Sequence, residues 1–193
     1  MAQSLITPVE MYLRLLETDE NAHVELIDGE VVVHASPDVA HSFGASGVGA
    51  ELYIRYQRGR GGPGGWWVLD EVDVLLTAWE QAFRPDLAGW RQEHVPAIPK
   101  LRPIRIRPDW VCEVLSPSTK RWDLGPKLQA YLSAGVPYYW ILDPAEQKLT
   151  AHALAGDVYE VVGVVTRSAP SSLPPFPEAV FDMNELFPIT TEQ

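Results

Sequence analysis

Between Pro108 and Pro144 the chain carries a stretch that admits few folds. Trp110-Val-Cys-Glu-Val-Leu115 reads as a compact apolar strand, stopped by Ser116-Pro117-Ser118. Leu124 to Ala134 then has helical spacing through Leu124, Leu128, Tyr131 and Leu132. Gly135 closes that helix as C′ and Pro137 prevents its continuation. A second apolar strand, Tyr138 to Leu142, follows at once. A strand, a crossover helix and a strand make a parallel pair with a right-handed connection. The fold class is therefore α/β or α+β, built on one mixed β-sheet flanked by helices.

The flanking segments are consistent with that class. Thr7 suits an N-cap, with Pro8 at the first helical position and an apolar stripe through Met11, Leu15 and Leu16. Val24 to Ile27 and Glu30 to Val33 flank Asp28-Gly29, the dipeptide of a tight antiparallel hairpin. Val39, Phe43, Val48, Leu52 and Tyr56 fit a long glycine-containing helix that begins after Ser36-Pro37 and reaches Arg58. Arg60 to Gly65 is a loop. Trp67 to Leu76 and Phe83 to Trp90 read as two strands joined by a turn around Trp79, and a polar connection runs from Arg91 to about Arg107. Leu149 to Leu154 and Tyr159 to Val165 are further strand candidates. With 193 residues the expectation is a single domain, 1–193, whose Pro-rich C-terminal tail from about 168 wraps or caps it and ends in a turn at 183–186.

Composition removes several classes of function. At 46% hydrophobic and 21% charged residues the chain is not disordered, and no apolar run approaches the length that spans a membrane. A single cysteine, Cys112, excludes an intrachain disulfide and a multi-thiolate zinc site. The N-terminus lacks the basic start and apolar run of a signal peptide, so a cytoplasmic location is expected. The formal net charge of -11 is unlike that of a general nucleic-acid binder. The glycine loop at 59–65 lacks the Lys-Ser/Thr ending of a phosphate loop, and Gly44 to Gly47 has the wrong spacing for a nucleophile elbow.

The chemistry rests on acids inside apolar strands. Alternation puts Glu113 on the same face as Val111 and Leu115, where a carboxylate is costly unless it is paired or binds a cation. Asp86, in Phe83-Arg-Pro-Asp-Leu-Ala, raises the same question. Each acid alone reads as a strand residue with some exposure or as half of an ion pair. Adjacent strands lie about 4.8 Å apart, however, so Asp86 and Glu113 can share one divalent ion if their strands pair. Asp109 lies about 13 Å along the strand from Glu113 and is the poorer partner. Lys127, in the following helix, would project over the same sheet end. Two acids, a lysine and a metal make a phosphodiesterase site. The acids hold Mg²⁺ (or Mn²⁺), which polarises phosphate and acidifies water, and the lysine orients that water or offsets charge.

Arg84-Pro-Asp86, Pro108-Asp109-Trp-Val-Cys-Glu113-Val-Leu-Ser-Pro-Ser-Thr, Asp123-Leu-Gly-Pro-Lys127-Leu-Gln-Ala-Tyr131 and Ala134-Gly-Val-Pro-Tyr-Tyr-Trp-Ile-Leu-Asp143-Pro together resemble the Uma2 family. The Glu25-Leu-Ile-Asp-Gly-Glu hairpin and His41 match its N-terminal half. The resemblance implies a restriction-endonuclease-like fold of the PD-(D/E)XK nuclease superfamily. Asp86 then matches the first acid and Glu113 the second, with Glu25 as an additional acidic member. The usual lysine two residues after the second acid is Leu115 here, and Lys127 takes its place from the helix. DNA is the implied substrate, and a homodimer is expected by analogy with nucleases that cut two strands.

Other residues read more plainly. Ser116, Ser118 and Thr119 are either turn and cap residues or phosphate contacts, Asp143 is a turn residue, and Asp123 pairs with Lys127 at i,i+4. His41 is either a buried or capping histidine or a proton-transfer group or phosphate contact. Lys100, Arg102, Arg105 and Arg107, with Lys120-Arg121 and with Arg55, Arg58 and Arg60, form either a positive lip around the site or a solvated surface. Two functions follow: a metal-dependent nuclease acting through Asp86, Glu113 and Lys127, or a noncatalytic nuclease-fold module that binds nucleic acid or a protein partner. A hydrolase of a small phosphorylated compound is a third.

Overall fold

A computed structural model describes residues 6–19, 23–34, 38–76, 81–98, 100 and 102–187. The expected turn around Trp79 lies outside them. Helix α1 (Pro8–Thr18) starts on a full capping box, in which Thr7 and Glu10 each accept the other's backbone N–H. Its buried residues are Tyr12 and Leu16, whereas Met11 faces solvent, so the packing stripe is shifted by one residue from the expected one. Tyr12 and Leu16 pack on Val24, Leu26, Leu75 and Ala82. Strands β1 (Val24–Ile27) and β2 (Glu30–Val33) form the hairpin, with Asp28 at φ 50 and Gly29 at φ 81 in its turn.

Helix α2 (Val39–Leu52) is capped by the Asp38 side chain and runs into a π-helical turn, Tyr53–Gln57. The next four strands correct the sequence reading. Instead of two long strands the chain makes β3 (Trp66–Asp70), β4 (Val74–Leu76), β5 (Gln81–Phe83) and β6 (Leu87–Arg91). The breaks fall at 71–73, where Glu71 adopts φ 46, and at 84–86, where Pro85 offers no N–H to a ladder. Each break moves the chain from one sheet to another. Strands β4 and β5 join the hairpin in a four-stranded sheet of order β2-β1-β5-β4. Strands β3 and β6 join β7 (Trp110–Val114), β8 (Tyr138–Asp143), β9 (Lys148–Ala155) and β10 (Val158–Val165) in a six-stranded sheet of order β10-β9-β8-β7-β6-β3. The fold is thus mixed α+β with a large mixed sheet, but a second sheet lies beside it.

Strands β7 and β8 are parallel, as the strand–helix–strand pattern requires, and every other pairing in the large sheet is antiparallel. The crossover is two helices rather than one: α3 (Lys120–Asp123) and α4 (Pro126–Ser133), separated by Gly125 before Pro126. Leu124 therefore sits exposed at the break instead of in the apolar stripe. Helix α4 ends as expected, with Gly135 at φ 71.

Alternation along β7 divides the core. Trp110, Cys112 and Val114 pack with Val48 and Leu52 of α2, while Val111 and Leu115 pack with Ala130 and Tyr131 of α4. The C-terminal segment is more than a cap. Strands β11 (Ser171–Leu173) and β12 (Phe176–Phe181) pair, and Phe176 is fully buried against Tyr56, Trp66, Trp110 and Trp140. A short helix α5 (Met183–Leu186) follows.

Candidate active site

The site opens where the two sheets meet, because the same two strand breaks that divide the sheets leave backbone and acids facing a gap. Asp73 and Arg84, one from each break, hold the junction by a buried pair with contacts of 3.0 and 3.3 Å. The register of β6 on β7 pairs Leu87 with Cys112, so Asp86 stands opposite Glu113. Asp86 Oδ2 accepts the Val114 N–H at 2.6 Å, which fixes the carboxylate against β7. Its Oδ1 lies 3.1 Å from His41 Nε2, delivered by the first turn of α2.

Glu113 is buried, with its hydrogen bonds concentrated on Oε1. That oxygen lies 2.9 Å from Lys127 Nζ and accepts the Tyr131 hydroxyl at 3.1 Å. Lys127 Nζ also lies 3.0 Å from Glu25 Oε1 and 3.3 Å from Asp123 Oδ1. An ammonium has three N–H donors, and three carboxylates take them. Lys127 is therefore the internal counter-ion of the site, with no donor left over for a water. Glu25 Oε1 also accepts the Arg84 N–H at 2.8 Å, and Oε2 lies 2.7 Å from His34 Nε2 without a hydrogen bond between them.

The charges around this cavity of about 170 Å³ do not balance. It is lined by six acids (Glu25, Asp38, Glu71, Asp86, Glu113 and Asp123) and by two full cations, Arg84 and Lys127. Burial, followed by the charges of Asp123, Asp86 and Glu25, pushes the Glu113 carboxyl well above its ordinary range against the pull of Lys127. Burial also raises Asp123. Burial works the same way on Glu25, but Lys127, His34 and the Arg84 N–H hold that carboxyl low. Burial would depress His41, yet Asp86, Asp38 and Asp123 raise it above the usual histidine value.

The sequence-derived residues Asp86, Glu113, Lys127 and Glu25 all line one pocket, with His41 and Asp123 beside them. Ser116, Ser118 and Thr119 bond one another in the turn after β7 and line the mouth. Asp109 is elsewhere, accepting from Arg91 N–H and contacting His94. Asp143 accepts two backbone N–H groups of its turn. The positive lip is not built at the pocket: Arg102 pairs with Asp73, Arg107 donates to the Gly135 carbonyl and Arg55 pairs with Glu51, and none of the three lines it. Nearby acids draw Arg102 and Arg55 into local pairs, and a backbone carbonyl takes Arg107.

His34 and the Tyr131 hydroxyl were not read as site groups from the sequence. Tyr131 carried a signal, since it lies four residues after Lys127 on the same helix face. Tyr131→Phe removes one of the two donors to Glu113 Oε1. Its expected cost is about 1.5–3 kcal/mol of stability, the range for a hydrogen bond to a charged group, measured by urea denaturation at neutral pH.

Among the described residues, no group of three or more histidine, cysteine, aspartate or glutamate side chains is arranged as a metal cage. Mg²⁺ does not need one, because it keeps several waters and binds through one or two carboxylates together with substrate phosphate. Asp86 and Glu113, facing each other within a surplus of negative charge, fit that requirement.

A large mixed sheet with helices on both faces and recessed acids at a strand junction places the protein in the nuclease-like fold class. A crystal structure from Anabaena variabilis, described as "a putative nuclease belonging to DUF820", has the same fold: the TM-score is 0.73 at 23% identity, covering 95% of this chain and 98% of that one. The Uma2 family, described as "Putative restriction endonuclease", matches residues 9–184, and the chain belongs to it. No protein of curated function matches. No helix among the described residues is long and apolar enough to cross a membrane.

Proposed function

We propose that the protein is a metal-dependent nuclease hydrolysing DNA phosphodiester bonds, with Asp86 and Glu113 holding Mg²⁺ or Mn²⁺. The observation that carries this reading is the facing pair Asp86 and Glu113 in a pocket whose acids outnumber its cations. When bound, the ion supplies charge neutralisation of the phosphate and acidification of water. In the hydrolysis, the water oxygen bonds to phosphorus, the P–O bond to the leaving oxygen breaks, and that oxygen ends with a proton. Lys127 and Tyr131 fix Glu113 through Oε1, leaving Oε2 for the cation. The Val114 N–H holds Asp86 through Oδ2 and His41 contacts its Oδ1, which orients that carboxylate as well. Lys127 also draws Glu25, Glu113 and Asp123 together and offsets part of their charge, a positioning role that matches the charge-offsetting rather than the water-orienting alternative expected from the sequence.

The test is a metal titration. Mn²⁺ should bind in isothermal titration, and labelled DNA should be cut with Mg²⁺ or Mn²⁺ and left intact with chelator. DNA or protein binding with no metal uptake would favour the noncatalytic module instead.

A further inference from the structure

A second cavity of about 400 Å³ lies between α2 and β3 and shares His41, Glu71 and Asp86 with the acidic pocket. That volume is in the range of small-molecule sites. Ser42, Ser46 and Tyr53 form the helix side, and Val68, Leu69 and Leu87 form the sheet side. Three acids line it, Asp70 and Glu71 at the mouth and Asp86 at the shared wall, and the one basic group among its lining residues, His41, is already in contact with Asp86 at 3.1 Å. Glu71 is held there by its left-handed backbone (φ 46) and by its N–H, which donates to the Asp86 carbonyl at 3.2 Å.

All fifteen lysines and arginines of the chain lie within the described residues, and none lines this groove. The two that line the acidic pocket are engaged, Arg84 by Asp73 and Lys127 by three acids. Proteins that grip duplex DNA do so through several cationic phosphate contacts, and here the ground beside Asp86 repels phosphate. The groove instead offers an exposed aromatic ring, apolar walls and hydrogen-bond acceptors. These suit a base and sugar, whose amino and hydroxyl groups donate and whose ring stacks.

Resting on the nuclease reading of the adjoining acids, we infer that this groove is a subsite for one nucleoside with no phosphate beyond it. The scissile phosphate then sits at Asp86 and Glu113, and the substrate is the unphosphorylated end of a strand or a dinucleotide, rather than the interior of a duplex.

The binding test uses Glu113→Gln, which leaves the groove lining intact, titrated calorimetrically with deoxyadenosine and with deoxyadenosine 3′,5′-bisphosphate. The nucleoside should bind at least about tenfold more tightly, the ratio expected of a like-charge contact at a partly screened surface. Adding Glu71→Lys should shrink that ratio. The turnover test compares wild-type protein with Mn²⁺ on three substrates: an oligonucleotide with hydroxyl ends, the same strand with phosphorylated ends, and a covalently closed circle. The first should be cut fastest, and a dinucleotide should also be cut. Equal affinity for the two ligands, or cutting of the circle as fast as the open strand, would overturn the inference and leave the nuclease reading standing. Selective nucleoside binding without turnover of any substrate would sustain the subsite and remove the nuclease reading.

Discussion

Glu113→Gln is expected to lose metal-dependent DNA hydrolysis by at least about a thousandfold while being no less stable than the wild type without metal. The first effect follows from removing one of two charged oxygen ligands. Loss of the charge stabilisation that a bound cation brings is worth several kcal/mol, and each 1.36 kcal/mol is about a factor of ten in rate. The second follows from the surplus of acids around Glu113. Its carboxyl is pushed upward by burial and by Asp123, Asp86 and Glu25. A carboxyl whose folded value is raised binds protons more tightly in the folded state. Its contribution to stability is present below the unfolded value and is lost as pH rises through the folded one. The neutral Gln carries no such dependence, so the stability of the variant relative to wild type should increase with pH across that window. Urea denaturation at several pH values in chelator measures this difference. A variant that keeps full metal-dependent hydrolysis would remove Glu113 from its assigned role. Asp86→Asn should lose hydrolysis to a similar extent, since it removes the facing ligand.

Lys127→Met is expected to cost about 3–5 kcal/mol at neutral pH, the penalty for removing one partner of a buried ion pair. The methionine fills most of the space, so the loss is chiefly electrostatic. Glu25, Glu113 and Asp123 would each be left without the ammonium that sits 3.0, 2.9 and 3.3 Å away. The sign with pH is opposite to ordinary acid denaturation. As pH falls the three carboxyls take up protons, with the already raised Glu113 and Asp123 first, and the unpaired charge disappears. Denaturation midpoints at neutral pH and about pH 5 should therefore show the gap between variant and wild type narrowing on acidification. A gap of the same size at both values would mean that Lys127 contributes packing and not charge.

Part of this protein was legible as sequence because the signals are local. Asp28-Gly29 supplies the positive-φ turn of the hairpin, Gly135-Val-Pro137 ends the crossover helix, and the apolar runs at 110–114 and 138–143 make a parallel pair. The face carrying Glu113 followed from simple alternation. Asp86, Glu113 and Lys127 could be named from residue type and strand order before any coordinates.

The rest depended on contacts between distant segments. Polar residues interrupt both stretches, at Asp70-Glu71 and Asp73 and at Arg84-Pro85-Asp86, but nothing in the pattern alone shows that the chain changes sheet there, and yet that change opens the cavity. The tail from 168 reads as a Pro-rich wrap, but Phe176 meets four aromatic rings from four other elements. The arginines at 102 and 107 look like a phosphate-binding lip until their partners, Asp73 and the Gly135 carbonyl, are in place. Sequence by itself determined the hairpin turn, the end of the crossover helix and the strand face of Glu113, because alternation, helical period and turn residues act over a few positions. Tertiary structure alone decided that one ammonium is shared by three carboxylates and that no lysine or arginine lines the groove beside them. Coulomb interactions depend on distance through space, and Glu25 comes from a hairpin about a hundred residues before the segment that carries Glu113 and Lys127.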